Sequence, residues 1–168
     1  MSVKRTVAAA FVLALAACGQ SGTGGAGGSS ANSATCQLLG DPTPLFGANA
    51  IASGYGKLAG GAVPASCEFQ SADGAKAGEV VTIENATPAQ LQETLQKWDA
   101  QTETPLAPVD GLGEGAQMAT DLPGYQTQIA FLKGTTLVLI QARTSELESA
   151  HSADLAKRMA AAVAGALH

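Results

Sequence analysis

The stretch YQTQIAFLKGTTLVLIQAR, Tyr125 to Arg143, decides the fold. Tyr125, Thr127, Ile129 and Phe131 recur at the two-residue period of a strand, and Lys133-Gly134 supplies a tight turn. Leu137 to Ile140 is then apolar at every position, as in a central strand covered on both faces. Two earlier runs, Ala65 to Ser71 (ASCEFQS) and Glu79 to Glu84 (EVVTIE), read as strands joined by a hairpin loop at Ala72 to Gly78.

Helical signals alternate with these strands. Thr87-Pro88-Ala89-Gln90 places a threonine at the N-cap, proline at the first helical position and glutamine at the third, which is a capping box. Leu91, Leu95 and Trp98 share one face of the helix that follows, which runs to about Gln101, and Trp98 on that stripe reads as core. Thr104 to Pro108 ends it. Ser145 with Glu148 repeats the capping logic ahead of Leu147, Leu155, Met159, Val163 and Leu167, the stripe of a terminal helix. Asp41 or Thr43, with Pro44, marks a short helix at Pro44 to Ala50. The order is helix, two strands, helix, two or three strands, helix. It predicts one α+β domain, an antiparallel sheet with helices packed on one face.

The N-terminus carries a different message. Lys4 and Arg5 precede an eleven-residue apolar run, Val7 to Ala17, which is shorter than the ~20 residues a membrane-crossing helix needs. A charged start, a short apolar run and small residues at its end read as a secretory signal over residues 1–17. Leu15-Ala16-Ala17-Cys18 resembles the lipobox of bacterial lipoproteins, which implies cleavage before Cys18 and acylation of its thiol and amine, palmitate included. Residues 18–34 then comprise the lipidated cysteine and a glycine- and serine-rich tether without a large apolar side chain. Such a tract cannot bury enough surface to order itself, and the fifteen residues from Gln20 to Ala34 span about 20 Å as a coil. Gly19 is not the aspartate that retains many lipoproteins in the inner membrane. The expected location is therefore the periplasmic face of the outer membrane in a Gram-negative host, and the outer face of the plasma membrane otherwise.

Residues 35–168 remain for folding, one domain of ordinary size. Without Lys4 and Arg5, seven basic residues face fourteen acidic ones, a balance of −7 that disfavours nucleic acid and anionic lipid headgroups as partners. Cys36 and Cys67 form an even pair in an exported chain, where disulfides persist, and two cysteines without a nearby histidine make a poor zinc shell. Their bond closes a loop of about 32 residues, worth about 3–4 kcal/mol in the chain-entropy picture.

A cysteine beside an N-terminal Leu38-Leu39, a second in Cys67-Glu68-Phe69, the run Pro108-Val109-Asp110-Gly111-Leu112-Gly113-Glu114-Gly115-Ala116, the Leu132 to Leu139 strand pair and a terminal helix come in a recognisable order. It resembles small exported lipoprotein domains of unknown function, best known from actinobacteria, in which a V-x-GLG-x-x-A turn leads into the last strands. The resemblance implies an envelope location and assigns no catalytic residue. Gly111 and Gly113 bracket Leu112, which suggests two positive-φ positions around one buried anchor, a structural turn. It lacks the spacing of a dinucleotide fingerprint, and Glu114 would repel a phosphate. Gly54-Tyr55-Gly56-Lys57 lacks the ending of a phosphate loop.

Candidates for chemistry are few. His168 is the last residue, and His151, four residues after Leu147 and four before Leu155, sits on or near the apolar stripe, where it reads as packing. Glu148, His151 and Asp154 could bind a metal only weakly, and a serine or cysteine nucleophile would have one usable histidine and no elbow motif. Asp110 with Glu114 and Glu146 with Glu148 occupy turn and cap positions, where acids are common. The sequence thus points to a lipid-anchored, non-enzymatic binding or interaction module needing no cofactor. Its partners would be an envelope protein, a cell-wall polymer or a small ligand. The alternative is an envelope enzyme with its site in a helix–sheet cleft near His151.

Overall fold

The computed structural model describes residues 33–55, 64–122, 126–145 and 149–168. The expected signal, Cys18 and the expected tether up to residue 32 lie outside the described residues, as do Gly56, Lys57, Tyr125, Glu146, Leu147 and Glu148.

The chain is an α+β domain built on one antiparallel sheet. In order it forms α1 (Ala34–Gln37), α2 (Thr43–Phe46), β1 (Ile51–Tyr55), β2 (Ala65–Gln70), β3 (Lys76–Ile83), α3 (Pro88–Asp99), β4 (Ala107–Pro108), β5 (Glu114–Thr120), β6 (Thr127–Lys133), β7 (Thr136–Thr144) and α4 (Ser149–Ala166). The seven strands lie in the order β1-β2-β3-β7-β6-β5-β4, each pair antiparallel. The hairpin of residues 127–144 turns at Gly134-Thr135, with Lys133 opposite Thr136, and β7 sits between β3 and β6. An apolar strand is what that central position requires.

The arrangement of the helices differs from the expectation that they share one face. Along β6, Ile129 and Phe131 join a core with Leu155, Met159 and Val163 of α4, while the alternate residues Ala130 and Leu132 join a second core with Leu91, Leu95 and Trp98 of α3. Successive strand side chains point to opposite faces, so α3 lies across the sheet from α4. The cause is visible in β6 and β7, which are apolar on both sides and need a cover on each. Residues of α1 and α2 belong to the α4 side through Cys36, Leu45 and Phe46.

Local signals fare as their chemistry dictates. Gln90 Oε1 accepts the Thr87 N–H at 2.8 Å and starts α3 where the capping box predicts. The short helix expected at Pro44 to Ala50 stops at Phe46, because Gly47 adopts φ 83° and the chain then extends into β1. Ser33 caps α1 by accepting the Cys36 N–H at 3.2 Å, and the helix begins at Ala34. In α1 and β2, Cys36 and Cys67 bring their Cα atoms to 5.1 Å with the sulfurs at bonding distance. That contact pins the start of the domain to the inner side of the sheet.

Candidate functional site

The two helix layers leave part of the sheet uncovered. On the α3 side, β1, β2 and β3 present Ile51 and Ser53, then Ser66, Glu68 and Gln70, then Ala77, Glu79 and Val81, and none of these is buried. Their neighbours on the other side, Cys67, Phe69, Gly78 and Val80, are all buried. The contrast follows from α3 standing over β5 and β6, its core meeting β3 at the last residue of that strand, Ile83. A groove of about 360 Å³ opens there, lined by Ile51, Ser53, Glu68, Gln70, Glu79 and Arg143 among others.

Register sets the chemistry of this groove. Ser53 is opposite Glu68, Glu68 is opposite Glu79, and Glu79 is opposite Gln141. Two carboxylates directly across a strand pair repel one another. Burial first, and the Glu68 charge second, hold Glu79 above the ordinary carboxylate range, against a hydrogen bond from Ser66. Arg143 falls in the adjacent row with Ile51, Gln70 and Ala77 and lines the same groove. Farther along the acidic row, the buried Gln141 Oε1 has no hydrogen-bond partner among the described residues. The row itself is therefore rich in acceptors, and among the described residues the cation lining the groove, Arg143, stands in the row beside it. The acidic row suits a ligand bringing N–H donors and a positive charge. The sequence signal was a glutamate at an outward position of each strand, but nothing in it says that the two meet.

The residues singled out from sequence fall elsewhere. Leu112 is 4% exposed and is the anchor expected of the turn. Gly111 has the expected positive φ of 79°, whereas Gly113 does not and is required for a different reason: a Cβ there would collide with the Leu132 carbonyl oxygen. Asp110 and Glu114 are exposed at the turn. Trp98 is buried in the α3 core.

His151 does not pack. It is exposed, and the buried stripe of α4 runs instead through Ser152, Leu155, Ala156, Met159, Ala160 and Val163. Leu155, Met159 and Val163 of the expected stripe are buried, and the departure is at the first turn, where Ser152, not His151, faces the sheet, 2.9 Å from the Thr127 hydroxyl. His151 instead lines a second cleft of about 300 Å³ with Ser145, Asp154, Lys76 and Arg158. Both cations there are engaged with the backbone of α2: Arg158 donates to the Pro44 carbonyl at 2.8 Å and Lys76 to the Leu45 carbonyl at 3.4 Å. Of the three metal candidates, Glu148 lies outside the described residues, and among those described no three such side chains gather.

No helix of the described residues is long and apolar enough to cross a membrane. Compared with protein-family models, curated proteins and solved structures, the chain matches none.

Proposed function

We propose that the protein is a lipid-anchored binding module of the cell envelope, without enzymatic activity, that engages its partner through the uncovered half of its sheet. The carrying observation is the open face of β1 to β3, where a groove runs over the opposed carboxylates of Glu68 and Glu79. A lipidated Cys18 and the tether behind it would hold that face near the membrane while leaving it free to turn. Two acyl chains or more give stable attachment.

The test places a photo-crosslinking residue at Ser53, in the groove, or at Lys157, on the exposed side of α4, in the full chain in cells. Adducts arising at Ser53 and absent at Lys157 are expected. Equal labelling from both positions, or none from either, overturns the reading. Replacing Cys18 with alanine should release the protein from the membrane fraction, and a variant that stays there with no lipid on the wild type removes the anchor.

The enzyme reading has one observation in its favour, since Ser145, His151 and Asp154 line a single cleft. The side chain of Asp154 is 70% exposed, however, where the orienting acid of a triad is shielded from water. A fluorophosphonate probe that labels Ser145 in the wild type and spares His151→Ala would restore it.

A further inference from the structure

We infer that the groove and the outer edge of β1 receive an extended basic segment of a partner protein, added as a further strand, whose lysine or arginine lies over Ser53 and reaches Glu68, the nearer of the two opposed carboxylates. The inference rests on the binding-module reading and names the occupant of that same face.

Three observations converge on it. The first is the edge itself: β1 ends the sheet on its side, bonded to β2 alone among the described strands, so its outward N–H and C=O groups are placed to accept another strand. The second is Ile51 on that edge, 58% exposed, the exposed large apolar side chain among the described residues. The third is the acidic row that begins one strand inward, with a small serine between it and the edge.

Strand geometry ties them together. A residue added beside Ser53 lies two strand spacings from Glu68, about 10 Å, which the combined lengths of a lysine and a glutamate side chain bridge. The side chain of Ser53 is short enough to let it pass. Ile51 is two residues from Ser53 and so shares its face, which places an apolar residue of the added strand two positions from the basic one. The occupant is thus a strand with apolar and basic residues at alternate positions. A free polyamine would answer the carboxylates, but it would leave both Ile51 and the edge unused.

The probe is the capped heptapeptide Thr-Val-Thr-Lys-Thr-Val-Thr, whose symmetry serves either strand direction, titrated against the full chain by calorimetry. Saturable binding is expected, with new hydrogen-exchange protection at β1 amides and a loss of about tenfold in affinity in the Glu68→Gln, Glu79→Gln double variant. That variant removes a repulsive pair, so its melting temperature should not fall, and lost binding then reports on the contact. Binding by the peptide with glutamate in place of lysine, unchanged affinity in the double variant, or no binding at millimolar peptide overturns the inference. So does spermidine binding equally well with β1 unprotected, which would make the groove a site for free cations. Crosslinks from Ser53 without peptide binding would leave the binding module standing and dismiss this occupant alone.

Discussion

Two glycines carry two kinds of backbone constraint in the turn before β5. Gly111 is held by its positive φ with open space around the missing Cβ, while Gly113 is held by the Leu132 carbonyl oxygen pressed against it. Alanine at Gly111 should therefore cost about 1 kcal/mol, the usual penalty for a left-handed residue. Alanine at Gly113 should cost more, about 2–3 kcal/mol, because the obstacle is backbone in a strand and cannot swing aside. Denaturant midpoints of the two variants give the order directly. Glu79 offers a second residue-level test. Its folded pKa is raised, so the native state holds that proton more tightly than the unfolded chain does. Its contribution is fully present below the unfolded pKa and lost as pH rises through the folded one, so acidifying from neutral pH toward the carboxylate range should gain stability from this group. Asp41, Asp73 and Glu93, whose pKa values are lowered by hydrogen bonds, act with opposite sign at still lower pH. Glu79→Gln should raise the midpoint at pH 7 and flatten its rise on mild acidification, and an unchanged pH profile would show that the carboxylate is not repelled.

Among the elements, α3 is the informative one because among the described residues it covers its side of the sheet alone. Leu91 is 2% exposed and rests on Gly115, where a Cβ would come within 2.9 Å of the leucine Cδ2. Leu91→Ala should cost about 3 kcal/mol through lost burial and the cavity left behind. Hydrogen exchange should locate the effect, with amides of α3 and β5 opening sooner while those of α4 keep their protection. Uniform loss across both helices would mean that the two cores are one cooperative unit. The elements also show how far local signals reach. Thr87 to Gln90 marked the start of α3 because a cap is chemistry within four residues. β1 was hidden in Ile51-Ala-Ser-Gly-Tyr55, which has neither a strong period nor a run of apolar residues, and it is a strand because β2 offers it a partner.

At the scale of the whole molecule, the Cys36–Cys67 link joins α1 to β2 across 31 residues of chain, and β1 lies within the loop it closes. Cys36→Ala with Cys67→Ala should lower stability by about 3 kcal/mol, with reductant shifting the wild type toward the variant. If reductant left the wild-type midpoint unmoved, the thiols would be free in the native protein. The edge strand and the acidic groove both hang from this loop. Loss of the link should accordingly weaken peptide binding at β1 along with the fold.

The amino-acid sequence by itself determined the α+β class, the antiparallel hairpin of residues 127–144, the cap of α3, the pairing of the two cysteines and the buried anchor of the turn at Leu112. Most depend on contacts within a few residues, and the cysteine pairing follows once Cys18 is set aside as the expected lipid site. The tertiary structure alone decided which side of the sheet each helix covers, that Ser152 and not His151 faces inward, and that Glu68 meets Glu79. Those outcomes depend on register between segments distant in the chain, and a period of two or 3.6 residues says which positions share a face without saying what that face will meet.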